Sequence, residues 1–239
     1  MKTASIMRQL ARWHIWLGWV VAVPILLWTF TGLWMVARPI EEVRGTDLRS
    51  EPAPLVLAQT PVMPRLDGRR IEKVELVARA DRPTWIIAFS GGDRRAADAS
   101  TGAMLPRVDA ALARRIADAA LLHPGQVVRV AAFAAVDAPL DLRRERPSWQ
   151  VAYADGLRVY VDALSGEVLA VRSNQWRWFD VMWGLHILDP VGREDTHHPL
   201  LIVTAAIAFP SCLIGFILLF RRRKARAKAP TPKAPTNAR

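Results

Sequence analysis

The chain has 239 residues, 51% of them apolar, with a formal net charge of +11 and a single cysteine. The charge is concentrated: residues 38–175 hold 20 Lys and Arg against 18 Asp and Glu, while the first twelve and last nineteen residues carry the excess. That placement excludes a basic nucleic-acid-binding domain, and one cysteine excludes a disulfide framework or a Cys-based metal site.

Residues 1–12 form a basic segment with Lys2, Arg8 and Arg12, and residues 13–37 follow without an acid or base except His14. A run of that length crosses a bilayer as a helix. The bulky WMVARPIEEVRG that follows offers no small-residue cleavage site, so the run reads as a retained anchor. Residues 38–65 are a Pro-rich connector. Residues 198–220 make a second apolar run, and 221–239 begin with Arg221, Arg222, Arg223 and Lys224 before a Pro- and Ala-rich tail with nothing to bury, read as disordered beyond Lys224. Basic flanks stay in the cytoplasm, so both termini are expected inside and the intervening region on the far, periplasmic side. Cys212, inside the second run, reads as a small buried apolar group.

The middle of the chain contains an internal match. Residues 82–105, RPTWIIAFSGGDRRAADASTGAML, align without a gap on residues 146–169, RPSWQVAYADGLRVYVDALSGEVL, with ten of 24 positions identical. Each stretch reads as a strand opened by Trp85 or Trp149, a turn at Gly92 or Gly156, a second strand, and a D-A-x-[ST]-G turn at Asp98–Gly102 or Asp162–Gly166 leading to a third. The pattern predicts two antiparallel meanders, in repeats spanning 66–106 and 107–172. The second is preceded by a helix with Asp109 as N-cap, an apolar stripe of Leu112, Ile116, Ala119 and Ala120, and a stop at His123-Pro124-Gly125. The first has Pro-rich sequence in that place and is read as degenerate or strand-led. Residues 176–190 are aromatic, too short to span, and suit a helix lying at the outer surface. The expected fold is therefore an α+β membrane protein, with two transmembrane helices bracketing an exported tandem domain of helix plus antiparallel sheet.

These residues resemble PepSY domains joined to PepSY-associated transmembrane helices. The resemblance is carried by the VYVDALSGEVLAV hairpin, by His14-Ile-Trp-Leu-Gly18, by Thr31-Gly32, and by Trp183-Gly-Leu-His186. Larger members of that family have four spans and include iron-regulated inner-membrane proteins and haem-containing siderophore reductases. The resemblance implies haem b held by membrane histidines, electron flow from a quinol or other donor to ferric iron or a ferric siderophore, and residence in a bacterial-type inner (cytoplasmic) membrane. With two spans here, an intramolecular two-haem arrangement is in question.

His14 shares a helical face with Gly18, Val21, Ile25, Trp28 and Gly32, and Gly18 one turn on leaves room for a flat macrocycle. His186 belongs to the outer end, and His197 and His198, which open the second run, are further candidate ligands there or else cap and surface residues. His14 and Gly32 are 18 residues apart, roughly 27 Å along a helix, so His14 and His186 cannot share one iron. A bis-histidine haem would need a second chain, as homodimer or hetero-oligomer, or another histidine. Gly18/Ala22 and Ser211/Gly215 have the spacing of close helix approach, and Pro24 and Pro210 are expected to bend their helices, with freed carbonyls met by neighbours such as Thr29 or Ser211. His123 reads as a structural loop residue. The sequence has no G-x-S-x-G, H-E-x-x-H or Gly-rich phosphate loop. Asp98 and Asp162 fall at equivalent turns, which explains both without catalysis. Two functions stay open: a haem-dependent ferric or ferric-siderophore reductase, or an anchored PepSY module that restrains or senses an envelope protease or other envelope partner without a cofactor.

Overall fold

A computed structural model describes residues 2–51, 54–66, 68–79 and 82–227, which form two compact units: residues 1–37 with 181–239, and residues 38–180. In the first unit α1 (Lys2–Val36) packs on α5 (Pro199–Ala227). Both are long and apolar enough to cross a membrane. Their side chains are largely uncovered, with Trp16 at 72% and Trp19 at 77% exposure, so an apolar solvent has to take the place of a protein core. The helix begins at Lys2 rather than residue 13, because the basic segment contains no proline or glycine to stop it. The second helix likewise runs on through the basic cluster to Ala227, seven residues past the expected end at 220, and the rest of the expected disordered tail lies outside the described residues. Pro24 and Pro210 sit inside the helices, but Thr29 Oγ1 donates to the Ile25 carbonyl at 2.8 Å, not to that of Val20, which Pro24 leaves free.

The central unit holds two antiparallel sheets. The first has the order β1 (Ile71–Arg79), β2 (Arg82–Phe89), β3 (Arg94–Asp98); the second has the order β4 (Val127–Phe133), β5 (Ser148–Tyr153), β6 (Arg158–Asp162), β7 (Val168–Arg172). Strands β1 and β4 lie outside the matched 24 residues, yet they pair in the same register. Ile71 faces Phe89 and Val127 faces Tyr153, and each pairing slips by one residue immediately afterwards. Trp85 Nε1 donates to the Val62 carbonyl at 2.9 Å, and Trp149 Nε1 to that of Val108 at 2.7 Å. The third strand of the first meander does not form. It is reduced to a bridge between Ala97 and Met104, beyond which Pro106 has no N–H to continue the ladder. The connector 38–65 contains a short helix, α2 (Ile40–Arg44), closed by Gly45 in the left-handed region.

Helix α3 (Ala110–Ala119) is capped by Asp109, whose side chain accepts the Leu112 N–H at 2.7 Å. Its buried stripe is Ala113, Ile116 and Ala117 with Leu112 alongside, rather than a stripe reaching Ala119 and Ala120. It covers Val151, Tyr153, Val159, Val161 and Val171 of the second sheet. Alternation sends Tyr160 and its partner Ala170 to the other face, against Leu142, and the β-bulge that leaves Leu169 unpaired turns that side chain to the same face. Asp98 Oδ1 accepts the Ser100 and Thr101 N–H groups, and Asp162 Oδ1 those of Leu164 and Ser165, so both carboxylates close turns. Helix α4 (Asn174–His186), expected at 176–190, runs from the central unit into the membrane unit.

Candidate functional site

The two membrane histidines each bind an oxygen of the helix pair. His14 Nδ1 lies 3.0 Å from the Ser211 carbonyl of α5. A carbonyl only accepts, so Nδ1 carries the proton and Nε2 keeps a lone pair. His186 Nδ1 lies 3.0 Å from Thr31 Oγ1. That hydroxyl also lies 2.8 and 3.1 Å from the Leu27 and Trp28 carbonyls, and with its one hydrogen given to the helix it accepts from His186. In that arrangement His186 takes the same tautomer as His14, Nδ1–H, with the lone pair on Nε2. Among the described residues neither Nε2 has a hydrogen-bond partner.

Each ring is seated on a glycine. A Cβ on Gly215 would lie 2.8 Å from His14 Cε1, and one on Gly32 would lie 3.2 Å from His186 Cε1. His186 also stacks on Trp28, with ring centroids 5.0 Å apart and planes 19° apart, and less closely on Trp183 at 6.4 Å. Gly18, expected beside the His14 ring, instead faces open space, with nothing within 4 Å of an added Cβ. The small residues that receive His14 are Ser211 and Gly215, whose four-residue spacing had pointed only to helix packing. His14 and Thr31 are 17 residues apart on one helix, ~26 Å along its axis, which keeps the two histidines at opposite ends of the pair.

The other histidines are not brought into either arrangement. His123 is an exposed residue after α3. His197 is exposed in the turn before α5, its N–H held by Asp195 Oδ1 at 2.8 Å. The His198 carbonyl accepts the Leu201 and Ile202 N–H groups at the start of α5, while its Nδ1 is enclosed without a partner. The turn that carries them is tied to Asp189. Burial disfavours the charge of that carboxylate, but N–H groups of Asp195, Gly192 and Glu194 outweigh it and hold the carboxyl below its usual range. Cys212 is exposed on α5, not buried. No group of three or more metal-ligating side chains converges among the described residues.

An imidazole whose Nδ1–H is fixed by an oxygen and whose Nε2 is left as a donor is the usual preparation for an axial ligand. The donor set therefore fits one axial imidazole at each end of the helix pair. It does not fit two imidazoles of one chain on one iron. A search of curated proteins and of solved structures returns no match. The family model for the PepSY-associated TM region matches residues 11–239, which take in both apolar helices and both sheets. This chain belongs to the PepSY-associated transmembrane-region family.

Proposed function

We propose that the protein is a haem-binding electron carrier of the bacterial inner membrane, with both termini cytoplasmic and its central unit, two copies of one PepSY-like module, on the periplasmic side. The observation that carries the reading is that His14 and His186 each turn Nδ1 to an oxygen 3.0 Å away, one at either end of an apolar helix pair, and neither Nε2 has a hydrogen-bond partner among the described residues. Haem b bound there supplies one-electron redox chemistry. The chain's own residues orient the imidazoles through Ser211 and Thr31, and Gly215 and Gly32 leave the space in which the rings sit. His197 and His198 remain the nearest further donors in sequence to His186. Electrons would pass outward from a quinol or other donor to ferric iron or a ferric siderophore, with second ligands drawn from a homodimer or hetero-oligomer.

The test is the absorption spectrum of protein purified in detergent from haem-replete cells. A Soret band that shifts on reduction is expected. His14→Ala should remove one part of the haem and His186→Ala another, leaving the complementary centre in each. Full haem retention in both inserted variants would refute the ligand assignment. The second reading is favoured by the same ring seats: a histidine filling a glycine notch also locks one helix on another. In that case the helices are an anchor for a sensor or inhibitor of an envelope protease or other partner, and the purified protein is colourless.

A further inference from the structure

The central unit has a cleft of about 650 Å³ that neither histidine touches. Its floor is apolar, made by Val77 and Ile86 of the first sheet, Ile116 of α3, and Val168 of β7. Two arginines flank it. Arg79, half-buried at the end of β1, uses Nη1 to donate to the Ser165 carbonyl at 2.6 Å. A guanidinium has five N–H donors, so most of its capacity is unspent. Arg49 stands at the mouth on a segment strapped to the end of α3: Ser50 N–H bonds the Ala120 carbonyl at 3.1 Å and the Leu122 N–H bonds that of Leu48. Among the described residues neither guanidinium has a carboxylate within ion-pair distance. Burial pulls the Arg79 pKa down. The acid of the wall, Glu167, is committed, with Oε1 to Arg94 and Oε2 to Ser165 Oγ. Glu51, at the rim, is exposed.

A desolvated arginine fork with spare donors is matched by a carboxylate or phosphate, and a cavity of this size suits a small molecule. The geometry points to a binding site for a small molecule with an apolar body and one or more oxyanion groups, carboxylate or phosphate, gripped between Arg49 and Arg79. The site is independent of any haem, and its two arginines come from segments held by backbone hydrogen bonds, so the backbone from which each side chain reaches is set before a ligand arrives.

The experiment is calorimetric titration of the full chain in detergent with two probes, phenylacetate and phenyl phosphate, which share an apolar ring and differ in the anion. Saturable binding of either supports the site and names the group: phenylacetate alone a carboxylate, phenyl phosphate alone a phosphate, both a general oxyanion. Arg49→Gln should weaken binding at least tenfold without disturbing the fold, since among the described residues its side chain makes no hydrogen bond or ion pair. Ala119→Trp, which fills the cleft and leaves both arginines in place, should abolish binding. Glu51→Gln should strengthen it by removing a like charge from the rim, and Arg129→Gln on β4 should leave it unchanged. Absence of saturable binding by both probes, or binding that survives both Arg49→Gln and Ala119→Trp, overturns the proposal.

Discussion

Replacing Gly166 with alanine should destabilise the central unit by about 3 kcal/mol. The residue has φ +75°, a conformation that costs an L side chain ~1–2 kcal/mol. The added Cβ would lie 2.9 Å from Arg79 Cδ and Nη1 and 3.1 Å from Ile116 Cδ1. Arg79 must withdraw, and the charge-assisted bond to the Ser165 carbonyl goes with it, at about 1.5–3 kcal/mol. Gly92, at φ +85° with nothing near an added Cβ, isolates the backbone term. Gly92→Ala should therefore cost only ~1 kcal/mol, and Gly166→Ala should lower the melting temperature of the unit by roughly 10 °C. Thermal unfolding of the full chain, with hydrogen exchange at the β6 and β7 amides to localise the effect, gives both numbers. In an Arg79→Ala background the penalty at Gly166 should fall to the backbone term plus the contact with Ile116. Equal costs at Gly92 and Gly166, or no coupling to Arg79, would refute the reasoning.

The chain has two tyrosines, and burial pushes both phenols above the usual range, with Asp118 adding to the effect at Tyr153 and Asp141 at Tyr160. Their neutral forms stabilise the fold fully below the unfolded value of about 10, and that stability is lost as pH rises toward the folded values. Phenolate absorbance should hence appear only together with alkaline unfolding, and free titration of either tyrosine in the native protein would contradict their burial. At the first D-A-x-[ST]-G turn, hydrogen bonds from the Ser100 side chain and backbone outweigh a small burial cost and hold the Asp98 carboxyl below its usual range. Its contribution is present above a pH of about 4 and disappears as pH falls through the folded value. Asp98→Ala should therefore weaken the first sheet at neutral pH and leave it unchanged in strong acid, as read by hydrogen exchange at β3.

The 24 matched residues made the hairpins legible because a turn needs particular chemistry: Asp to accept successive N–H groups and Gly to enter the left-handed region. Strands β1 and β4 escaped that comparison. Phe89 and Tyr153 are offset by 64 residues, whereas their partners Ile71 and Val127 are offset by 56. The second sheet thus has eight extra residues between its first two strands, which an ungapped alignment cannot cross. The spans were legible from length and apolarity alone, but their ends were not. Charge marks where a bilayer stops, whereas a helix stops where its backbone does, and Arg and Lys are good helix formers. The cleft left no sequence signature, since Arg49 and Arg79 are 30 residues apart and meet only through α3 and the hairpin at Ser165.

The wheel put His14 on one face with Trp28 and Gly32, and chose Gly18 as its neighbour because a wheel knows only one helix. The true neighbour is Gly215 of α5, and this matters for function, since a histidine filling a notch in its own chain has a structural reason to exist. Ligation and locking differ in which nitrogen they need. Locking uses Nδ1–H, donated to Ser211 or Thr31; ligation uses Nε2. Asparagine places an amide N–H near the Nδ1 position and has nothing at Nε2. His14→Asn and His186→Asn should therefore keep the helix pair assembled, with thermal stability close to the parent, while removing haem at the substituted end as completely as alanine does. If asparagine preserves both stability and pigment content, the imidazoles are locks and the axial-ligand assignment fails. If it loses pigment alone, the lone pairs at Nε2 are what the membrane unit was built to present.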